Sequence, residues 1–156
     1  MLIKQDFKTK IIEKDHIFII NNDINSILDE SCKNYGSSFY GRVVASKYLL
    51  GNGYKTPIIL NENKEIIFFP TSSLKNSECN WINYNYVEKL FNDKNKTILI
   101  FKNSLKIELE ISSKFLYKQL LKSSRLESIL KSKKKWFCFF LCLFCVIINM
   151  CRGVHE

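Results

Sequence analysis

The segment Gly36-Ser37-Ser38-Phe39-Tyr40-Gly41-Arg42-Val43 brings two glycines, two serine hydroxyls and a cation together within eight residues. That outline belongs to a phosphate-binding P-loop, where glycines let backbone N–H groups cradle phosphates and a following Lys reaches the terminal ones. Here Arg42 and Val43 stand where Lys and then a magnesium-holding Ser or Thr are needed. No preceding strand or later acidic strand end completes the site, so the nucleotide reading is rejected. What remains is a short loop in which Gly36 and Gly41 permit positive φ and close backbone approach. Lys33, Arg42 and Lys47 surround Ser37 and Ser38 with charge, while Tyr35, Phe39 and Tyr40 offer flat faces. Such a set suits phosphates and sugars, and an arginine fits a narrow A·T minor groove. It equally suits a glycine-rich turn whose aromatics enter a core.

A second chemical pattern lies near the end of the chain. Cys138, Cys142 and Cys145 have the spacing that holds an iron–sulfur cluster in radical SAM enzymes, but there the motif sits on a polar loop with a large barrel after it. Here Phe and Leu separate the cysteines and 11 residues follow Cys145, so the spacing is a coincidence of composition. His16 and His155 lie at opposite ends of the chain, and no metal-ligand set has suitable spacing in the body. No catalytic constellation emerges, so neither an enzyme nor a cofactor is expected.

These residues must be positioned by one domain, since 156 residues suffice for one core and not comfortably for two. A hydrophobic share of 46% with 12 phenylalanines argues for a globular chain. Lys and Arg number 24 against 15 Asp and Glu, a net charge of +9 that points to a polyanion, nucleic acid or an anionic membrane surface. Of that excess, +4 falls after residue 130, where five cations face Glu156 alone, and +5 in the body. The start of the chain carries charges and no apolar run, so a signal peptide is not expected. A cytoplasmic body with Cys32 and Cys79 as reduced, buried small hydrophobes follows.

Asp15–Ile20 is a short apolar run fit for a buried strand, and Asn21–Ser31 reads as polar turn material with a brief amphipathic piece. From Pro57 to Pro70 two β-prone runs flank Asn61–Lys64, which predicts a hairpin bounded by prolines. A second hairpin is expected over Thr97–Ile111, where Ile107, Leu109 and Ile111 alternate with Lys106, Glu108 and Glu110. After Ser112-Ser113 the period changes, and Phe115, Leu116, Leu120, Leu126 and Leu130 predict a helix over about Lys114–Lys131. On that helix Lys114, Lys118, Lys122 and Arg125 fall within about 80° of one another. Like charges at this spacing repel by about a few tenths of a kcal/mol per pair, which a bound polyanion would relieve; a solvated face is the alternative.

Residues 136–151 form an uncharged run spanning about 24 Å as a helix, short of a full bilayer core. A marginal C-terminal anchor, with Lys131 to Lys135 on the cytoplasmic side, is one reading. A/T-rich coding DNA read out of frame yields the same Phe, Leu, Ile and Cys composition, and that is the other.

Three segments together resemble the ComK family of bacterial competence transcription factors: SCKNYGSSFYGR (Ser31–Arg42), PIILNENKEIIFFPTSS (Pro57–Ser73) and CNWIN (Cys79–Asn83). The early IIEKDHIFIINN (Ile11–Asn22) is similar too, so the resemblance covers roughly residues 10–130. It implies an activator of DNA-uptake genes that binds paired A/T-rich boxes largely through the minor groove. It also implies assembly as dimers of dimers and control by an adaptor that delivers the protein to a Clp protease. Such proteins continue past the helix with a longer polar region. Here the lysine run and the Phe/Cys-rich tail take its place, which implies a shortened regulator, impaired in activation and adaptor control.

The expectation is an α+β fold, an antiparallel β-hairpin-rich domain over 1–131 with an amphipathic helix near the C-terminus, followed by the 132–156 tail. Lys33, Ser37, Ser38, Arg42, Lys47, Lys114, Lys118, Lys122 and Arg125 are the candidate contacts to DNA. Asn83 and Asn85, beside Trp81, are candidates for reading A·T base edges, with an ordinary strand over Trp81–Tyr86 as the preferred alternative. The rival class is a tail-anchored or membrane-surface interaction protein with its lysines on anionic lipid.

Overall fold

In the computed structural model, residues 1–134 are described apart from 6–7, 14, 52, 62–65, 77 and 94–95; from 135 to 152 the helical backbone alone is described. The fold is α+β and every strand pairing is antiparallel. The chain opens with β1 (Leu2–Gln5), β2 (Lys8–Ile12) and β3 (Ile17–Ile20), then α1 (Ile24–Lys33) and α2 (Phe39–Leu50). Next come β4 (Ile58–Asn61), β5 (Ile66–Pro70) and β6 (Trp81–Asn83), a single 3-10 turn over Tyr84–Tyr86, and β7 (Val87–Asp93), β8 (Lys96–Phe101) and β9 (Lys106–Leu109). Helix α3 (Ser113–Arg152) ends the fold, running through residue 131 without a break. Six strands form one sheet in the order β3-β2-β1-β6-β5-β4, and β7-β8-β9 form a second.

Period-two alternation explains how the β4, β5 and β6 part of the larger sheet is covered on both faces. Ile58 and Leu60 of β4 and Trp81 of β6 pack with Ile24, Leu28 and Cys32 of α1 and Val43 of α2. Their neighbours point the other way. Phe69 and Ile82 join Leu99, Phe101 and Leu109 of the second sheet and Leu116 of α3, while Ile59 and Ile67 meet Leu126 and Leu130 further along α3. The result is three layers: α1 and α2, the six-stranded sheet, then the small sheet with α3.

Both expected hairpins are present, β4–β5 and β8–β9, with the β4–β5 turn lying outside the described residues. The apolar stripe of α3 is also as read: Leu116, Leu126 and Leu130 are buried, with Gln119 and Ser123 beside them. Cys32 and Cys79 are free thiols in the interior, and burial pushes the Cys32 thiol up.

Four local readings change. Asn21–Ser31 is largely helix rather than turn, because Asp23 caps it by accepting the Asn25 N–H at 3.0 Å and Ile24, Leu28 and Cys32 share one buried face. The Gly36–Val43 segment is mostly helix too. Only Gly36 needs a positive φ (71°); Ser38 is the N-cap, and Gly41 sits inside the first turn of α2. Trp81–Tyr86 is a three-residue strand followed by the 3-10 turn. The run Ile17–Ile20 is a strand but not a buried one, since β3 is the last strand of the sheet and all four residues are exposed. An apolar run reports β-preference, not how many layers lie over it.

Candidate nucleic-acid interface

Helix α2 divides the candidate residues into two groups, one at each end of its length of about 18 Å. Lys33, Ser37, Ser38 and Arg42 lie at its start, where the chain turns out of α1. Most of their polar atoms serve that turn. Lys33 Nζ lies 3.0 Å from Asp29 Oδ2 and 2.8 Å from Glu30 Oε1, and these carboxylates push its pKa up to about 12. Asp29 in turn accepts the Phe39 N–H at 2.9 Å; that bond and Lys33 hold its carboxyl below the usual range. Ser38 Oγ accepts the Gly41 N–H at 3.0 Å, the Ser37 hydroxyl faces the Ser38 carbonyl at 3.5 Å, and Arg42 donates to the Tyr35 carbonyl at 3.2 Å. Phe39 points inward, edge-on to Trp81.

The second group faces outward. On α2, Tyr40, Val44, Lys47 and Tyr48 recur at helical spacing on one exposed stripe, Tyr48 being 82% exposed. Gly51 closes the helix with φ 78°, and the chain then crosses to α3. There Gln119 donates to the Lys55 carbonyl at 2.9 Å and Lys122 Nζ to the Tyr54 carbonyl at 2.9 Å. Lys55 itself lies 4.4 Å from the centre of the Phe115 ring. These contacts hold Tyr54 and Lys55 against α3 and leave the Tyr54 ring 93% exposed. Along α3, Lys114, Tyr117, Lys118, Leu121 and Arg125 are all exposed on the face opposite Leu116, Ser123 and Leu126.

The structure therefore brings Lys122 beside the turn that follows Lys47, and sets Lys114, Lys118 and Arg125 on the adjoining helix face. It does not bring Lys33, Ser37, Ser38 and Arg42 to that place. Tyr48, Tyr54, Tyr117 and Lys55 were not among the candidates, and the signal that finds Tyr48 is its i, i+4, i+8 spacing from Tyr40 and Val44. Tyr54 gave no such signal, since its exposure depends on where the turn docks. Asn83 and Asn85 are committed to the fold: Asn83 Oδ1 accepts the Asn85 N–H at 3.1 Å and Asn85 Oδ1 accepts the Ile67 N–H at 3.0 Å. Among the described residues no His, Cys, Asp and Glu cluster could hold a metal ion, and no helix is long and apolar enough to cross a membrane.

A family model described as ComK protein matches residues 1–135, and the chain belongs to that family. It is also 35% identical over 108 residues to a competence transcription factor of Bacillus subtilis (strain 168), covering 67% of this chain and 55% of that protein. The chain thus spans about half the length of this curated relative. The family match begins at the first residue, so the family's sequence pattern takes in β1 and β2 as well as the segments from Ile11 onward. No solved structure matches.

Proposed function

We propose that this chain is a DNA-binding regulator of competence genes, acting in the cytoplasm and gripping A/T-rich duplex DNA through the exposed α2–α3 surface. The observation that carries this reading is the pairing of Lys47, Lys114, Lys118, Lys122 and Arg125 with the exposed rings of Tyr48, Tyr54 and Tyr117. Cations neutralise phosphates and release counterions, while tyrosines lie along sugars and base edges in a widened or bent minor groove. The name of the Bacillus relative agrees with this assignment. Control by a Clp-protease adaptor belongs to the same reading, weakened by the Phe/Cys-rich region past residue 135, as does assembly into dimers or dimers of dimers on the DNA.

The test is a titration of labelled A/T-rich duplex with the full chain across a salt series. Five neutralised phosphates predict a log–log slope of roughly −4 to −5. Lys118→Glu combined with Arg125→Glu should weaken binding at least tenfold with the melting temperature unchanged. A G/C-rich duplex should bind more weakly under the same conditions. A flat salt response, or equal affinity of the double variant, defeats the proposal. Binding of the chain to anionic vesicles in preference to duplex would favour the membrane-surface alternative.

A further inference from the structure

Tyr54 is the most exposed aromatic side chain among the described residues, yet the backbone that carries it is held at three consecutive carbonyls. Thr56 Oγ1 donates to the Gly53 carbonyl at 2.9 Å, Lys122 Nζ to that of Tyr54 at 2.9 Å, and Gln119 Nε2 to that of Lys55 at 2.9 Å. Two of these donors stand on α3, and both Thr56 and Gln119 are buried. Exposed turns ordinarily leave such carbonyls to water and stay mobile. Lys55 also takes a left-handed φ of 54°, unfavourable for a residue with a side chain, while its ammonium lies over the Phe115 ring. Strain of this kind persists where the surroundings over-determine it, and it clusters at binding sites. The turn thus fixes in place an aromatic ring that it does not bury.

The charge beside that ring has a definite spacing. Lys122 stands at the foot of Tyr54, half-buried, and Lys118 and Arg125 are exposed four residues before it and three after. Along the helix axis those two lie about 6 Å and about 4.5 Å from Lys122, so about 10 Å apart. A minor groove is about 6 Å wide between its two phosphate walls. With α3 laid across the groove, one cation meets each wall and the ring points between them.

We infer that Tyr54 is a wedge that enters the minor groove and inserts its ring between two base pairs, with Gln119 as the residue that positions it. The inference rests on the DNA-binding reading above and adds to it the place where sequence is read. Inserting a ring unstacks one base step and kinks the duplex. Pyrimidine–purine steps such as TA unstack readily, whereas A-tracts are stiff. The wedge therefore selects A/T-rich DNA that contains a TA step over an uninterrupted A-tract, and needs no hydrogen bond to a base edge to do so. Tyr48 and Tyr117 rise from regular helix faces and suit contacts along the sugars instead.

The full chain is titrated by anisotropy against A/T-rich duplexes in which 2-aminopurine, whose fluorescence rises on unstacking, replaces one adenine at a time. At saturation the wild type should brighten the 2-aminopurine at one TA step. Tyr54→Ala should bind about tenfold more weakly, reach saturation and leave that position dark. Tyr54→Phe should restore both signals, and neither variant should change the melting temperature, because the side chain is exposed. Gln119→Met removes the donor to the Lys55 carbonyl at similar volume, and its saturated complex should be dimmer than that of the wild type. Changing the responding TA step to AA should weaken the wild type about tenfold and leave Tyr54→Ala unaffected. Saturated complexes that brighten no position, or a Tyr54→Ala complex as bright as the wild type, overturn the wedge and leave the DNA-binding reading standing. A Gln119→Met complex as bright as the wild type overturns the positioning role. Tighter binding to either single strand than to the duplex also overturns the wedge, since the ring then stacks on unpaired bases. The absence of any binding overturns both readings.

Discussion

At one end of the six-stranded sheet every residue of β4, from Ile58 to Asn61, is buried, whereas at the other end every residue of β3, from Ile17 to Ile20, is exposed. The two sequences, IILN and IFII, are almost interchangeable in apolar content. What differs is what the following chain lays over them. Helices α1 and α2 come down on the β4 side and bury Ile58 and Leu60, and α3 covers Ile59 from the opposite face. Strand β3 pairs with β2, and the His16 ring stacks on Phe18. An edge strand is therefore sealed or open by topology rather than by composition.

The largest expected effect tests that contrast directly. Truncating Ile58, fully buried, leaves a cavity and should lower unfolding stability by about 2–5 kcal/mol. The same change at Ile19, 63% exposed, should stay within about 0.5 kcal/mol when the chain is diluted to a monomer. Urea midpoints for Ile58→Ala and Ile19→Ala give both numbers. Equal losses would mean that β3 is packed in solution rather than exposed.

The sequence carried the elements whose periodicity is local. The β4–β5 and β8–β9 hairpins and the buried stripe of α3 each rest on apolar residues at a spacing of two or of three to four. The α1–α2 pair was missed because its signals are short: Asp23 and Ser38 as caps, Gly51 as a stop, with polar residues between. Strand β7 was missed because Val87–Asp93 is nearly all exposed or half-exposed and so has no apolar rhythm. Of the candidate interface, the α3 cations were legible from helical arithmetic alone. Lys33 and Ser38 looked available because a sequence does not reveal that Asp29, Glu30 and the Gly41 amide already occupy them. Tyr48 and Tyr54 became visible only once α2 and its following turn were placed.

Where β1 meets β2 the sheet also buries a charge. The Met1 ammonium donates to the Ile12 carbonyl at 2.7 Å within the β1–β2 pair, and burial lowers its pKa from 8.0 to about 6, with Glu13 partly offsetting the shift. Between those two values the unfolded chain holds the proton and the folded one does not, so stability rises with pH across that window. Below about pH 6 both states are protonated and the full penalty applies. The group should therefore cost up to about 2–3 kcal/mol at low pH, and nothing above pH 8. Urea midpoints from pH 5.5 to 8.5 check this, and blocking the amine by acetylation should flatten the profile over the same range. An unchanged profile would place the titration elsewhere.

The smallest effect concerns the helix that seals β4. Ser38 Oγ accepts the Gly41 N–H and so starts α2, whose Val43 packs in the same cluster as Ile58 and Leu60. Ser38→Ala should lower stability by about 1 kcal/mol, and Ser38→Asp, which keeps an acceptor at the cap and adds favourable charge at a helix start, should restore it. The aspartate also separates the two ends of α2 functionally. If Ser38 touches a phosphate, a carboxylate there repels DNA and affinity collapses. If the α2–α3 surface near Tyr54 makes the contact, a lone charge about 18 Å away, beyond the screening length, leaves affinity within about threefold. Measured together, the urea midpoint and the duplex titration for Ser38→Asp therefore assign this serine either to capping the helix over the sealed edge or to the nucleic-acid surface. The first outcome is the expected one, because its hydroxyl oxygen already holds the amide that begins the helix.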